Sequence, residues 1–527
     1  MKKMNRRGFV KSSLAAGAAA SAFSTGLAKA QWLAPTLYTY RRSVVIGSGF
    51  GGSVAALRLG EAGIATALIE RGKSWQYQGE DTFPLVAAAA TEADGRTTWL
   101  GDMDGATGQY PVSKYTGMLE RIQGDTVPSV VGAGLGGGSL VYGGVLLQPR
   151  RDIFNEVFPQ LDYDMMDSVY YPRVLAMVSG GKIPRDILES PNYGAVRTFI
   201  NNAAQAGFDI TESDVGFNWN VIRREINGEI SPFASIGEYV YGCNSNAKNT
   251  LDKNYIANAR STGNVSVHPL HNVQTIEQVS DRLFRTHCDV LNEFGELQYK
   301  QVFVSRYVFL AAGAINTTRL LLKSKALGDL SNLNDAVGEG FAGNGDELMG
   351  RLIYQPDISA IQGGPPCVAA HDLNNSIKPV GFMHSPSNGS QGLPDGVRMQ
   401  LHMAMSTPNA TGSIGYDANT DGAIIQYPYA DNEIDRQAHY QSLSKMQHLD
   451  NGVIPGSAIG SSAGIWHPLG GTVMGQACGM NGQLNGLPNI FVVDGALMPG
   501  STAAANPSLT IAANAERIME QVIPRLS

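Results

Sequence analysis

The sequence predicts an α/β fold in which helices cover a parallel sheet, and three segments support that prediction. Residues 43–46 are a short, β-branched apolar run, followed by a glycine-rich turn and a helical pattern of apolar residues. A second apolar run follows at residues 66–69, and a third, residues 306–314, ends in small residues. Strand, helix and strand in this order form a βαβ unit, whose two strands lie parallel in one sheet.

The turn after the first strand, GSGFGG, places Gly47, Gly49 and Gly52 at the three glycine positions of a dinucleotide-binding motif. The first glycine permits the tight turn, the second lets a pyrophosphate approach the backbone, and the third lets the helix pack on the strand. Glu70 ends the second strand, where its carboxylate can accept both hydroxyls of a ribose. Together these features predict a dinucleotide site of the Rossmann type.

This first unit does not distinguish NAD from FAD, but three later segments favour FAD. Residues 306–314 are typical of the late strand that passes beneath the nucleotide in flavoproteins. Residues 131–144 hold seven glycines, so their backbone can lie flat against a planar ring system. Residues 490–496 are a further strand that ends in Asp494 and Gly495. NAD enzymes do not need such a return of the C-terminal part of the chain to the nucleotide-binding sheet.

The first thirty residues have the pattern of an export signal. A basic start with Arg6 and Arg7 precedes an alanine-rich apolar run, and Ala28-Lys29-Ala30 forms an A-x-A cleavage site. The arginine pair followed by Gly-Phe-Val-Lys favours the twin-arginine route, with an ordinary secretory signal as the alternative. We therefore expect an exported protein, either periplasmic or secreted.

Composition argues against several other classes of protein. Removal of the six Lys and Arg residues in 1–30 takes the net charge from −7 to −13, and an acidic protein lacks the basic surface that nucleic acids require. Residues 122–149 contain Asp125 as their single charged residue but are too rich in glycine to span a membrane. The four cysteines permit three disulfide connectivities, but we expect buried free thiols. Residues 417–422 open like a calcium loop, yet Pro428 stands where that loop needs Glu, so we expect a hairpin turn and no metal.

Several motifs together resemble the glucose–methanol–choline (GMC) oxidoreductase family, and within it the bacterial cholesterol oxidases that hold FAD non-covalently. The resemblance covers nearly the whole chain after the signal and is densest at residues 47–63, 115–122, 132–145, 228–259, 466–475 and 492–518. It implies a discontinuous FAD-binding domain over residues 40–80, 128–150, 226–345 and 460–527. It also implies a substrate-binding domain over residues 81–127, 151–225 and 346–459, built on an antiparallel sheet with helices that covers the isoalloxazine.

The same matching implies which further residues contact the cofactor. Asp494 and Gly495 are expected beside the flavin side chain. The glycine-rich segment is expected at the edge of the flavin ring, through Gly136, Gly137, Gly138, Ser139 and Gly143.

Oxidation of an alcohol by hydride transfer to flavin N5 needs an acceptor for the hydroxyl proton and a second polar group that holds the alcohol. A neutral imidazole at His467 suits the first role, and Asn506, which precedes Pro507 at an expected helix start, suits the second. Both residues fall on the family's catalytic His and Asn positions. His268 and His271 lie on an expected strand over residues 265–273 and are assigned to packing.

Two departures from the family pattern bear on the reaction. Cholesterol oxidases of this type carry a Glu that moves a proton between steroid carbons, but no Glu occurs here between Glu347 and Glu433, and Val380 stands at the aligned place. Asp372 or Asp395 are the alternatives for that base. Tyr142 replaces an Asn of the family's glycine-rich loop. The sequence therefore favours alcohol oxidation over steroid isomerisation.

The leading hypothesis is an FAD-dependent oxidase for a bulky, apolar secondary alcohol such as a 3-hydroxysteroid, with O2 as acceptor and H2O2 as product. The alternative is a periplasmic FAD-dependent dehydrogenase that passes electrons to a quinone or protein. A third hypothesis is a flavin-bearing binding protein without activity, against which His467 and Asn506 argue. We expect a monomer that makes transient contact with membrane surfaces and binds no nucleic acid.

Overall fold

The computed structural model describes residues 34–86, 94–355, 358–386, 393–447, 454, 459–461 and 464–526. The expected export signal, residues 1–30, lies outside this part of the chain. Within it, a five-stranded parallel sheet forms the first layer, with its strands in the order Ile490–Val492, Tyr307–Leu310, Ser43–Ile46, Thr66–Ile69 and Val265–His268. Four of these strands are buried along their whole length, as expected of a parallel sheet that is covered on both faces. The βαβ unit and the two late strands are thus where the sequence predicts them.

Three helices pack together against this parallel sheet: Phe50–Glu61, Tyr255–Ser261 and Pro507–Val522. The remaining helices of more than one turn are Arg151–Val157, Tyr171–Val178, Gly194–Gln205, Trp219–Ile226, Ala314–Ala326 and Glu433–Gln447. Among the described residues, no helix is both long and apolar enough to cross a bilayer.

A six-stranded antiparallel sheet forms the second layer, with its strands in the order Ile459–Ser461, Asp346–Tyr354, Val397–Met405, Val380–Ser385, Val368–Asp372 and Asp209–Glu212. One face of this sheet packs against the helices Gly194–Gln205 and Glu433–Gln447. Successive side chains of a strand point to opposite faces, so the alternate residues face the parallel-sheet layer. Because the two sheets take their strands from alternating parts of the chain, the two layers are interleaved.

A four-stranded sheet lies beside the parallel one, with strands Thr36–Tyr40, Leu297–Ser305, Leu283–Leu291 and His271–Ser280. The single strand expected over residues 265–273 is wrong, because His268 ends one strand and His271 begins another in a different sheet. Leu270 turns the chain between them with a φ of 58°. Left-handed backbone is uncommon for leucine, so Leu270 itself does not signal the turn, whereas Pro269 beside it is unfavourable in a continuous strand.

The smaller sheets are Glu339–Phe341 with Gly412–Asp417 and Gly422–Gln426, Leu119–Ile122 with Ser129–Gly132, and Val145–Leu146 with Asp214–Val215. Residues 417–422 form the turn of an antiparallel hairpin, which confirms the prediction for this segment. Within the described ranges, no group of three or more His, Cys, Asp or Glu side chains is arranged to hold a metal ion. All four cysteines are buried free thiols, as predicted.

Candidate active site

A cavity of about 530 Å³ lies between the carboxyl ends of the parallel strands and the inner face of the antiparallel sheet. Ligands of open α/β sheets bind at this edge, because the loops that follow the strands converge there. One end of the cavity is lined by the glycine-rich turn, and the other end by the antiparallel sheet and the segment 466–468.

The three glycines of the first turn have three different environments. Gly47 has a φ of 96°, and a β-carbon there would lie 2.2 Å from the carbonyl oxygen of Ala311. A β-carbon at Gly52 would lie 2.0 Å from the carbonyl oxygen of Gly47, so this glycine permits close packing of helix and strand and does not line the cavity. Gly49 lines the cavity, and a β-carbon there would meet no described atom within 4 Å. The open space over Gly49 is therefore available to a bound group.

The second glycine-rich segment packs directly on the first. A β-carbon at Gly137, whose φ is 55°, would lie 2.6 Å from the Cα atom of Gly49, whereas one at Gly138 would meet nothing within 4 Å. Gly137, Gly138 and Gly143 line the cavity. Gly136 and Ser139, which the resemblance placed at the cofactor, do not line it. The Ser139 hydroxyl instead donates to the Gly136 carbonyl at 2.7 Å and accepts the Leu251 N–H at 3.0 Å, which fixes the loop from behind.

Two buried carboxylates line the end of the cavity beside the glycine-rich turn, which we call the nucleotide end. Glu70 accepts hydrogen bonds from the N–H and hydroxyl of Ser48, at 3.1 and 2.6 Å, and from the N–H of Gly72 at 2.9 Å. Asp494 accepts the N–H of Gly313 at 2.8 Å and the hydroxyl of Thr317 at 2.6 Å. Burial raises the pKa of Asp494 to about 6, against the opposing effect of these hydrogen bonds.

His467 lies at the other end of the cavity, and its ring is held by a carboxylate. Its Nδ1 atom forms a short hydrogen bond with Asp346, the first residue of the strand Asp346–Tyr354. Nε2 makes no hydrogen bond with any described residue, so it is the nitrogen that is available to a ligand. Asp346 is a functional residue that sequence reasoning missed, since it lies 121 residues from His467 and no local motif marks it.

Asn506 lines the same cavity and occupies the residue just before the helix Pro507–Val522, as predicted. Its side chain does not cap that helix, although the residue type and position favour a cap. Instead its Oδ1 atom is buried without a hydrogen-bond partner in the described part of the chain. A buried, unpaired amide oxygen is costly, so this atom indicates a ligand that supplies the missing donor.

The sequence matches known proteins along most of its length. The family model described as GMC oxidoreductase matches residues 39–343, and its C-terminal counterpart matches residues 408–515. This chain belongs to the GMC oxidoreductase family. It is an enzyme that oxidises CH–OH donors, and GMC oxidoreductases bind FAD.

Two relatives of this GMC oxidoreductase are named cholesterol oxidase. That of Mycobacterium tuberculosis is 26% identical over 547 aligned residues, which cover 90% of this chain and 89% of the relative. That of Acinetobacter baumannii is 24% identical over 554 residues, covering 91% and 94%. Among solved structures, a fungal aryl-alcohol oxidase superposes with a TM-score of 0.63 at 13% identity, over 92% of this chain and 99% of that one. At that identity the structural likeness concerns the fold alone.

The residues present fit FAD on three independent observations. The space over Gly49 and Gly138 is open, although both lie against an otherwise closely packed backbone. Glu70 stands at the end of the second strand, where it can receive a ribose. The unpaired Oδ1 of Asn506 lies at the far end of the same cavity, beyond the glycine-rich segment. His271 also lines this cavity, which its assignment to packing did not predict.

The substrate end of the cavity in this GMC oxidoreductase is apolar. Its lining comes from three strands of the antiparallel sheet and from neighbouring loops, through Leu348, Met383, Leu401, Met403, Val240 and Trp466. Tyr142 also lines the cavity. The centroid of its ring lies 5.5 Å from that of Phe50, and its hydroxyl donates to the carbonyl of Asn249 at 3.2 Å. Its hydroxyl is therefore directed to the protein backbone, and burial raises its pKa.

The cavity holds no spare carboxylate for steroid isomerisation among the described residues. Val380 packs in the core on the far side of the antiparallel sheet, so the cavity-facing positions of its strand are Met383 and Ser385. Asp372 is bonded to the Ser442 hydroxyl at 2.7 Å and to Lys445 at 2.6 Å, away from the cavity. Asp395 is exposed. Neither alternative base lines the cavity.

Proposed function

We propose that this enzyme oxidises a bulky, apolar secondary alcohol, of the 3-hydroxysteroid type, to the ketone, with non-covalently bound FAD and with O2 as acceptor. The observation that supports the proposal is one apolar cavity in which the Nε2 atom of His467 and the amide oxygen of Asn506 are both without partners among the described residues. The relatives named cholesterol oxidase support the sterol class.

His467 acts in this proposal as the acceptor of the hydroxyl proton. The Asp346 carboxylate can only accept a hydrogen bond, so the Nδ1 atom of His467 carries the imidazole proton and Nε2 keeps its lone pair. Nε2 can then take the proton of the alcohol, and the imidazolium that results is stabilised by the carboxylate behind it. Asp346 thus fixes both the tautomer and the orientation of the ring.

Asn506 orients the alcohol. Its amide N–H can donate to the alcohol oxygen while Nε2 of His467 accepts the hydroxyl proton, and these two contacts fix the direction of the C–H bond. When bound, FAD supplies the acceptor for that hydrogen with both electrons of the C–H bond. The products of this half-reaction are the ketone, the reduced cofactor and one proton on His467.

The apolar lining favours a substrate with little polarity besides its hydroxyl. Side chains such as Leu348, Leu401 and Met403 offer dispersion contacts and exclude water, and flexible methionines adapt to irregular hydrocarbon shapes. The carboxylates that line the cavity are Glu70 and Asp494, both at the nucleotide end. We therefore propose that the product is the unconjugated ketone.

A substrate panel tests this function. The FAD-loaded enzyme is mixed under anaerobic conditions with sterols, bile-type steroids, terpenoid alcohols and aliphatic alcohols, and bleaching of the flavin absorbance is recorded. Fastest bleaching by a 3-hydroxysteroid supports the proposal, and bleaching only by small alcohols contradicts it. The ketone product is then assayed for conjugation by its ultraviolet absorbance.

The electron acceptor of the enzyme is identified by a separate measurement. The yield of H2O2 per ketone is determined in air-saturated buffer, and a yield near one supports O2 as the acceptor. A yield near zero, with turnover restored by an added quinone, would favour the dehydrogenase instead.

Non-covalent attachment and export are also proposals. No cysteine lines the described cavity, and denaturation should release all flavin into the supernatant. Export is supported by the pattern of residues 1–30, and replacement of Arg6 and Arg7 by Lys should retain a fused reporter in the cytoplasm if the twin-arginine route is used.

A further inference from the structure

Asn344 lies two residues before Asp346 in the chain and is completely buried. Its φ is 61°, in the left-handed region that is unfavourable for most residues with a side chain. Glycine would adopt this backbone without cost, so the backbone alone does not explain an asparagine here. The role of the side chain must be sought in its contacts.

The amide of Asn344 connects two segments of the active site. Its Nδ2 atom donates to Oδ1 of Asp346 at 3.1 Å and to the carbonyl of Ala505 at 3.0 Å. Its Oδ1 atom accepts the N–H of Thr502 at 2.8 Å and lies 3.1 Å from the hydroxyl of Thr502. Both amide protons and the amide oxygen are therefore engaged. One side of this network is the partner of His467, and the other is the residue next to Asn506.

The segment on the Asn506 side is itself strained. Ala503 and Ala504 have φ values of 62° and 55°, and both are buried. Two consecutive alanines in the left-handed region persist only where the surroundings hold them. Bonds within the segment contribute, since the Ala503 N–H donates to the Ser501 hydroxyl at 3.0 Å and the Thr502 hydroxyl lies 2.8 Å from the Ala505 carbonyl. Asn344 adds the only described side-chain link from this segment to Asp346.

We propose that Asn344 is a positioning residue that locks the Asp346–His467 pair and the Ala503–Asn506 segment into one unit. It fixes the imidazole and the amide relative to each other, so that both can meet one alcohol oxygen. Asn344 does not line the cavity and touches neither substrate nor cofactor. This inference rests on the proposed roles of His467 and Asn506.

The test uses two variants of the FAD-loaded enzyme. Asn344→Gly keeps the left-handed backbone and removes the side-chain hydrogen bonds to Asp346 and Ala505. Asn344→Asp keeps the shape of the side chain and its bond with Thr502. It replaces the hydrogen bond to Asp346 by a repulsion between two carboxylates. For both we expect flavin reduction by the alcohol to slow by about tenfold to a hundredfold, the cost of small misplacements of reacting groups. The dissociation constant of the alcohol, from the same stopped-flow titration, should change by less than about threefold, because the apolar contacts remain.

A readout besides activity follows the Asp346–His467 pair itself. The Nδ1 proton of a carboxylate-bound imidazole gives a separate, far-downfield proton resonance, and both variants should shift or broaden it while the FAD spectrum stays unchanged. The matched control is Asn246→Gly, because Asn246 also has a positive φ, of 63°, but is exposed and lies outside this network. The control should keep the parental reduction rate and the parental resonance.

The outcomes separate this inference from the proposed function. If His467→Ala slows flavin reduction but both Asn344 variants retain the parental rate within about twofold, the inference is wrong and the proposed function stands. If His467→Ala itself leaves the rate of flavin reduction unchanged, the role proposed for His467 is wrong, and the inference that rests on it is wrong as well. Should Asn344→Gly not fold, Asn344→Asp decides alone: a slow, FAD-loaded protein supports the inference and the parental rate overturns it.

Discussion

Asp346 and His467 form a part-buried carboxylate–imidazole pair, although 121 residues separate them in the chain. The aspartate starts a strand of the antiparallel sheet, and the histidine lies in a loop that follows that sheet in sequence. The pair therefore joins the two layers at the point where the cavity passes between them. Because the carboxylate occupies Nδ1, it leaves Nε2 as the nitrogen without a partner among the described residues.

Replacement of Asp346 by Asn should disrupt this arrangement without changing its shape. An amide can donate to Nδ1, which stabilises the tautomer whose lone pair faces the wrong way. We expect flavin reduction to slow by about a hundredfold or more, with little change in the dissociation constant of the alcohol. Anaerobic stopped-flow absorbance measures both quantities. Asp372→Asn is the matched control, since Asp372 is also a buried, paired carboxylate but does not line the cavity. Equal rates for the two variants would show that the Asp346 pair is structural only.

Replacement of His467 by Ala should remove the proton acceptor and leave the nucleotide end of the cavity intact. The bound-flavin spectrum should be unchanged, while flavin reduction slows by about a hundredfold or more, the usual contribution of a general base. Added imidazole should restore part of the rate, because it can enter the space that the ring vacates. Reduction at the parental rate would exclude His467 from the mechanism.

The parallel layer could be predicted from the sequence because its signals are local. Buried β-branched runs, three glycines at fixed spacing and a carboxylate at a strand end all lie within 43–70, and the structure forms each element there. The hairpin at residues 417–422 could be predicted in the same way. Such elements depend on short-range backbone preferences and periodicity.

The partners of the candidate catalytic residues could not be predicted, because they arise from tertiary contacts. Asp346 reaches His467, and Asn344 reaches Thr502, only after the sheets have stacked. The face that Val380 presents depends on the exact register of its strand, since a shift of one residue exchanges the two faces. Gly136 and Ser139 lie behind the cavity wall, because the Ser139 hydroxyl turns back to the Gly136 carbonyl, a contact that the residue types alone do not indicate.

The two open glycine positions yield a prediction about cofactor binding. Ala at position 49 meets no described atom and suits the φ of −71° there, so Gly49→Ala should fold normally yet obstruct the pyrophosphate. We expect FAD affinity to fall by at least about tenfold, equivalent to about 1.4 kcal/mol, with the melting temperature of the FAD-free protein unchanged.

Gly52→Ala is the informative contrast, because its β-carbon would lie 2.0 Å from the Gly47 carbonyl oxygen and the variant should fold poorly even without FAD. Fluorescence titration of FAD and thermal unfolding of the FAD-free proteins distinguish the two variants. Unchanged FAD affinity in Gly49→Ala would mean that the cofactor does not pass over this turn.

Two buried histidines predict how stability depends on pH. His384 and His402 are paired across neighbouring strands, with ring centroids 5.6 Å apart, on the face of the antiparallel sheet away from the cavity. Burial, with a smaller contribution from the Arg351 charge, lowers the pKa of His384 to about 3 and lowers that of His402 well below its usual value. Both rings are therefore neutral in the folded protein at pH values where the unfolded chain, with a histidine pKa of about 6.5, already binds a proton.

Stability should consequently fall as the pH drops from about 6.5 towards 3, by about 1.4 kcal/mol per pH unit for each of the two imidazoles. His402→Phe keeps a ring in the core but removes one titrating group. The variant should therefore lose less unfolding free energy than the parent as the solution is acidified. Urea unfolding of the FAD-loaded proteins between pH 7 and pH 5 measures this difference. His287→Gln is the comparison variant, since it removes a histidine that is more than a third exposed and not one in the core. An identical pH dependence in parent and His402→Phe would contradict this, because it would mean that His402 binds a proton in the folded protein as readily as in the unfolded chain.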